Sequence, residues 1–274
     1  IHYLLINMFR KSSIPFLFFL ISTPCFGQKS KRSKDMPPGT VQINDTFFVD
    51  KTEIANVHWR EYLYYLLDVK KDTIAYQKAL PDTTVWGVDT ISDRYDSTYQ
   101  LQITTFSPNP LSEYYFRHPG FNNNPVVGIT YEQAIAFCQW RSDRVNELYA
   151  TMPENKRPFK KVTYRLLTEQ EWELIAAGNL PVEKHPYGYD SVYKKWKKEY
   201  YNAFNCKFSA DTPFYKLWGE MKIYTSSAYS YFPNSSHTYN IIGNVAEMVA
   251  EKGIAKGGSF VHTLEECKIT NDQY

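Results

Sequence analysis

The chain has 274 residues, 43% of them hydrophobic and 22% charged. Those are globular values, and they exclude disorder, collagen or coiled coil as a description of the whole chain. The length fits one large domain or two small ones. A formal charge of +2 leaves no excess of Lys and Arg to neutralise phosphates, which argues against nucleic acid as a partner. Aromatic residues make up 17%, led by 23 Tyr. A ring with a polar tip suits an irregular, loop-rich fold.

Residues 1–27 read as an export signal. Arg10 and Lys11 precede the apolar run Ile14 to Ile21, and Ser22-Thr23-Pro24-Cys25-Phe26-Gly27 supplies the small residues of a cleavage site after Gly27. Eight apolar residues are too few to span a bilayer. Met8 is the expected start, because Ile1 is not an ordinary initiator. Pro24 is a poor residue ahead of a lipidated cysteine, so acylation of Cys25 is the weaker reading. Losing Arg10 and Lys11 from the 31 basic residues leaves 29, equal to the 29 acidic ones. Electrostatic steering is therefore not expected of the mature chain.

Residues 28–36 form a basic linker. Val41 to Val49 alternates as a strand, with Val41, Ile43, Phe47 and Val49 on one parity. Asn56 is placed to cap a helix whose apolar face is Trp59, Tyr62, Leu63 and Leu66. Residues 70–115 are polar and lack helical periodicity, and they read as a surface excursion with short strands. Val126 to Ile129 predicts another short strand. Thr130 with Gln133 forms a capping box that opens a helix reaching about Leu148, with Ala134, Phe137, Cys138 and Trp140 on its apolar face. Thr163 to Leu166 is strand-like. Thr168 with Glu171 is a second capping box, with Trp172, Ile175 and Ala176 facing inward and Gly178 as the stop. Beyond Gly178 the chain is irregular.

Export makes the odd cysteine count informative. Cys138, Cys206 and Cys267 remain after cleavage, and one pair with one free thiol is the simplest outcome in an oxidising compartment. Cys138 reads as a buried hydrophobe, which leaves Cys206 and Cys267 for pairing or chemistry. No CxxC motif suggests structural zinc. The six histidines are scattered and lack metal-ligand spacing. Glu169 and Glu173 sit at i, i+4 in a helix start, where acids favour the dipole. Ser259 follows a Gly-Gly turn but lacks the context of a nucleophile elbow.

Six segments in this order carry a family resemblance: Met36-Pro37-Pro38-Gly39; Asp50-Lys51-Thr52-Glu53-Ile54-Ala55-Asn56; Pro125-Val126-Val127-Gly128-Ile129-Thr130-Tyr131-Glu132-Gln133-Ala134; Tyr164-Arg165-Leu166-Leu167-Thr168-Glu169-Gln170-Glu171-Trp172-Glu173; Gly243-Asn244-Val245-Ala246-Glu247; and Lys256-Gly257-Gly258-Ser259-Phe260. Together they resemble the formylglycine-generating enzyme (sulfatase-modifying factor) domain family. The resemblance implies an α+β, C-type-lectin-like fold over residues 37–274, with an insertion at about 70–115. The family continues beyond the Cys267 position to a strand carrying Gly-Phe-Arg, so the frame is expected to be incomplete at its C-terminus. Three further stretches, Leu80 to Trp86, Tyr115 to Pro119 and Trp140 to Glu147, are similar to the envelope lipoproteins of gliding motility and type IX secretion.

Catalytic members hold copper between two cysteines just after the Gly-Gly-Ser turn, because Cu(I) prefers thiolate sulfur. By that resemblance the two positions here are His262 and Cys267. The harder imidazole argues against copper and against formylglycine-generating activity. The family also implies structural calcium, matched here by Asn244, the Val245 backbone and Glu247, with Asn205 for a second site. Ala246 and Met248 replace usual aromatics in the cleft wall. The resulting expectation is an exported, non-catalytic domain, periplasmic or associated with the outer membrane. It would contact envelope proteins and carry no transmembrane helix in the mature chain. The alternative is a copper-dependent oxidoreductase acting on a protein cysteine through Cys267 and His262.

Overall fold

The computed structural model describes residues 3–5, 36–96, 101–196, 199–207 and 224–273. Residues 1–27, expected as an export signal, with Cys25, and the expected basic linker lie outside the described residues, apart from Tyr3–Leu5 and Met36. Among the described residues no helix is long and apolar enough to cross a membrane. The architecture is α+β: short strands, a few helices and much irregular chain.

Four three-residue strands make the main sheet. They are β1 (Tyr3–Leu5), β2 (Thr40–Gln42), β3 (Phe48–Asp50) and β6 (Tyr164–Leu166), in the order β2-β3-β1-β6. The segment expected as one strand from Val41 to Val49 is instead the β2–β3 hairpin, with Val41 opposite Val49. Asn44 causes the reversal, since its Oδ1 accepts the backbone N–H groups of Thr46 and Phe47, both at 3.0 Å. An Asx turn of this kind competes with extended pairing. β1 pairs antiparallel with both β3 and β6. It precedes Met8, so cleavage after Gly27 would open the facing edges of β3 and β6.

Helix α1 (Asn56–Tyr64) buries Trp59, Tyr62 and Leu63, and Leu66 follows in a π-turn over Tyr65–Val69. Its cap differs from expectation. Ala55 takes the N-cap position, and the Asn56 amide turns inward to donate to the carbonyls of Tyr115 (3.2 Å) and Phe121 (3.0 Å). The polar excursion contains more regular structure than expected. It holds α2 (Thr73–Ala79), the hairpin of β4 (Val88–Asp96) and β5 (Leu101–Pro108), and α3 (Pro110–Tyr114). Asp72 and Asn109 supply the two helix caps. Val126 to Ile129 is not a strand; only Pro125 forms an isolated bridge, with Ala55.

Both capping boxes form. Thr130 and Gln133 open α4 (Tyr131–Thr151), and Thr168 and Glu171 open α5 (Glu169–Ala177), which ends at Gly178. Two polar positions on α4, one turn apart, grip the sheet side. Ser142 Oγ accepts the Tyr164 N–H at 2.8 Å, and Asn146 exchanges bonds of 2.7 and 2.9 Å with Val162. Between them and the hairpin, Arg141 makes a two-pronged ion pair with Asp50 at 2.5 and 2.7 Å.

Two apolar clusters result. The first joins α1 and α4, where Trp59 stacks on Phe137 at 5.0 Å and donates its indole N–H to the Ala79 carbonyl. The second joins α5 to the irregular C-terminal chain through Trp172, Ile175, Phe204, Ile241 and Cys267. Beyond α5 come the hairpin β7 (Tyr193–Trp196) and β8 (Glu199–Asn202), then the two-residue strands β9 (Glu247–Met248) and β10 (Ala255–Lys256).

Lys256 locks this second half. Its side chain is fully buried, and its Nζ meets Glu169 at 3.3 Å, Glu173 at 2.8 Å and Asp272 at 2.8 Å. The i, i+4 acids of α5 thus serve a cation as well as the helix dipole. Burial opposes the ammonium charge, but the bonds to Asp272 and Glu173 outweigh it and raise the pKa. The folded state therefore holds this proton more tightly than the unfolded chain. Its stabilisation is complete below the unfolded lysine value of about 10.4 and is lost as pH rises through the folded value. Lys256→Met should cost about 3 kcal/mol at neutral pH, because three carboxylates lose their partner. In denaturant titrations the gap between wild type and variant should be flat at neutral pH and shrink above about pH 10.4. A gap independent of pH would contradict this role.

Candidate functional site

The region expected to carry function is the packed turn system of residues 240–267. Its anchor is a carboxylate that the sequence reading did not single out. Glu53, three residues beyond β3, has no solvent exposure. Its Oε1 accepts the Asn244 amide at 2.8 Å and its Oε2 the Asn240 amide at 3.1 Å. Asn244 Oδ1 in turn accepts the Ser226 N–H at 2.7 Å and the Asn205 amide at 3.0 Å. Asn244 sits at φ 63°, a left-handed conformation that Asn tolerates. The preceding Gly243 must be glycine: a Cβ there would lie 2.6 Å from the Asn205 carbonyl.

The structure therefore brings Asn205 and Asn244 together but gives Glu247 a different partner. Glu247 is buried and accepts the Trp172 indole N–H at 2.8 Å. Val245 lines a cavity on the other side. Calcium needs six to eight oxygens. Here both lone pairs of Asn244 Oδ1 are engaged, so these ligands fit an ion only where the Asn205 amide and Ser226 N–H give way. Among the described residues, no group of three or more His, Cys, Asp or Glu side chains is arranged to hold a metal.

The Gly-Gly-Ser turn hangs on the same network. Gly243 N–H donates to the Gly257 carbonyl at 2.8 Å, and Phe260 N–H to the Asn244 carbonyl at 3.1 Å. Beyond it, His262 and Cys267 take different partners. His262 Nδ1 meets both the backbone N–H of Ser259 (3.0 Å) and its Oγ (2.8 Å). Cys267 is fully buried, and its thiol lies within hydrogen-bonding reach of Cys206. A two-sulfur copper site does not fit the His262/Cys267 pair. One position is an imidazole whose Nδ1 is already engaged, and the sulfur of the other faces into the core.

An apolar cavity of about 320 Å³ opens beside the turn, lined by Trp86, Val127, Ala246, Met248, Ser259 and Phe260 among others. Ala246 and Met248, read as an altered cleft wall, do form part of this wall. Trp86 packs on Tyr115 at 4.5 Å and faces Phe260 at 6.1 Å. Tyr115 is itself fixed by bonds from its hydroxyl to the Pro125 carbonyl (2.5 Å) and with Thr225 (2.7 Å). Neither His262 nor Cys267 lines the cavity.

A fold in which short strands and two boxed helices carry long irregular segments, with a Gly-Asn turn and a Gly-Gly-Ser turn locked together, defines the class. Residues 20–273 match the family described as "sulfatase-modifying factor enzyme 1-like domain", and the chain belongs to that family. Among solved structures it is similar to PvdO from Pseudomonas aeruginosa, with 16% identity over 83% of this chain and 74% of that one, at a TM-score of 0.42. It is also similar to CarF, with 19% identity over 83% and 80% and a TM-score of 0.46. No curated protein matches.

Asn244→Ala removes two amide donors and an acceptor from a sealed site, and should cost about 3 kcal/mol in denaturant titration. Asn244→Asp places a second carboxylate against Glu53, so one of the two must take up a proton. That raised pKa makes the variant's deficit shrink as pH falls from neutral. A deficit that grows on acidification would refute the placement. Thermal melting in millimolar calcium and in EGTA should coincide, because the network closes without an ion. A higher Tm in calcium that disappears in Asn244→Ala would place an ion at this network.

Proposed function

We propose that this chain is an exported, non-catalytic domain of the family, serving as a structural component of the bacterial envelope in gliding motility or type IX secretion. The observation that carries the reading is the divergence of partners after the Gly-Gly-Ser turn: His262 bonds Ser259, whereas Cys267 faces Cys206. Fold alone does not carry activity; the arrangement of reactive groups does.

The stretches that resemble the envelope branch have structural work in this molecule. Arg141, Ser142 and Asn146 fasten α4 to the hairpin and β6. Asp82 caps the turn that presents Trp86, and its N–H donates to the Gly128 carbonyl at 2.7 Å. Tyr115 seals the segment carrying Pro125. Residues selected to brace a scaffold account for these motifs without a reaction. Export rests on the basic, apolar and small-residue pattern of residues 1–27.

Two experiments test the proposal. The full-length chain, incubated with copper, oxygen and a Cys-x-Pro-x-Arg peptide, should yield no aldehyde by mass spectrometry while a competent family enzyme converts the same peptide. Conversion that vanishes in Cys267→Ser would establish the oxidoreductase instead. In a gliding bacterium, the tagged full-length chain should fractionate with the envelope and crosslink to envelope proteins. Recovery in the cytosol alone would overturn the localisation.

A further inference from the structure

The second apolar cluster holds two sulfurs whose adjacency the scaffold reading leaves unused. Cys206 follows β8, and Cys267 ends the chain segment that begins at the Gly-Gly-Ser turn. The two segments run side by side through a parallel bridge between Lys207 and Thr263. Lys207 N–H donates to the His262 carbonyl at 2.8 Å, and Leu264 N–H donates to the Lys207 carbonyl at 2.9 Å. One turn later the Cys267 N–H bonds back to Leu264 and Thr263. This backbone frame sets both Cα positions and brings the two thiols, in one apolar cluster with Tyr187, Phe204 and Leu264, within hydrogen-bonding reach. Gly258 closes the other side: a Cβ there would stand 2.4 Å from Cys267 Sγ. Cys138 is also a free, buried thiol, but it belongs to the other cluster, on α4.

We propose that Cys206 and Cys267 are a disulfide site, joined in the oxidised protein through exchange with a small-molecule disulfide of the glutathione class. Cys206 keeps 7% exposure and Cys267 none, so Cys206 is the entry sulfur. Its thiolate attacks one sulfur of RS–SR and displaces RS⁻. The Cys267 sulfur then attacks the Cys206 sulfur of the mixed disulfide and displaces the second RS⁻. The two protein thiols lose two electrons and two protons, and RS–SR becomes two RSH. The hydrogen bond to Cys267, and then burial, hold the Cys206 thiol well above the usual range. Exchange is therefore slow in the closed fold and fastest while the segments are still assembling.

The bond closes a loop of about 60 residues that includes β9 and β10, and among its described residues, 206–207 and 224–267, regular structure is sparse. It ties down chain that otherwise depends on side-chain hydrogen bonds. The inference concerns a covalent state of this chain and stands whether or not the envelope reading holds.

The test refolds the full chain in a mixture of oxidised and reduced glutathione, alkylates free thiols, and digests without reduction. The expected product is a peptide pair joining Cys206 to Cys267, with Cys138 alkylated. The oxidised protein should melt about 10 °C above its reduced form. In Cys206→Ser, which keeps the size and a donor at the site, the melting temperatures in reducing and oxidising buffer should coincide. The proposal is overturned if both cysteines are recovered alkylated after oxidation, if either is found joined to Cys25 or Cys138, or if the bond forms without raising Tm.

Discussion

The C-terminal half of this molecule depends on one buried carboxylate. Glu53 lies out of water with two asparagine amides on its oxygens, one 187 and one 191 residues away in sequence. A carboxylate sealed in such a place needs donors of this kind, since a buried polar group without partners costs free energy. The constraint works in both directions. Asn244 must hold a left-handed backbone to reach Glu53, and that geometry sends its own carbonyl to Phe260 and brings Gly243 against Gly257. The Gly-Gly-Ser turn is thus positioned from the N-terminal hairpin, through side chains, with almost no sheet between. β9 and β10 contribute two residues each.

Where regular structure is scarce, buried polar groups take over the work of a ladder. Asn234 shows the same device: its amide donates to the Ile175 carbonyl at 2.8 Å, and its Oδ1 gathers the N–H groups of Ser236 and Thr238. Asn124 does it again with Thr225. Each bond is worth about 1 kcal/mol net, but a buried donor or acceptor left alone costs more. Such networks are therefore cooperative, and they specify one arrangement of loops rather than many. Lys256 and its three carboxylates add a charged version on the far side of Trp172.

This division explains what could be read from the chain. Both capping boxes, the inward faces of α1, α4 and α5, and β6 follow from local chemistry that a few consecutive residues contain. The errors share one cause. Val41, Ile43, Phe47 and Val49 share one parity, yet a single Asn44 side chain folds the segment back, and Asn56 looks like a cap until a distant loop claims its amide. The helix over Thr73–Ala79 is weakly patterned because it presents only Ala79 as a buried residue. At the site, Asn244 was read from the Gly-Asn motif and Asn205 as a ligand of a second calcium, and neither reading contained the direct bond between them. Glu53 was quoted within a motif, but nothing local announces that its carboxylate meets two asparagines from the far end of the chain. The Cys206–Cys267 contact spans a similar gap and was visible only as a cysteine count.

The same network bears on the relation between fold and chemistry. It delivers residue 262 to the Ser259 side of the turn and residue 267 to the core side, and both placements follow from backbone bonds that the motif residues enforce. Position 262 carries an imidazole held at Nδ1 by the N–H and hydroxyl of Ser259, a local arrangement. Position 267 carries a sulfur pressed on Gly258 and facing a second sulfur from another segment. Soft-metal chemistry needs two sulfurs converging on a point that a substrate can also reach. In this chain the two sulfurs that approach each other, those of Cys206 and Cys267, lie in the core and do not line the cavity walled by Trp86, Met248 and Phe260. The proposed bond would give these two sulfurs a structural use that needs no access from the cavity.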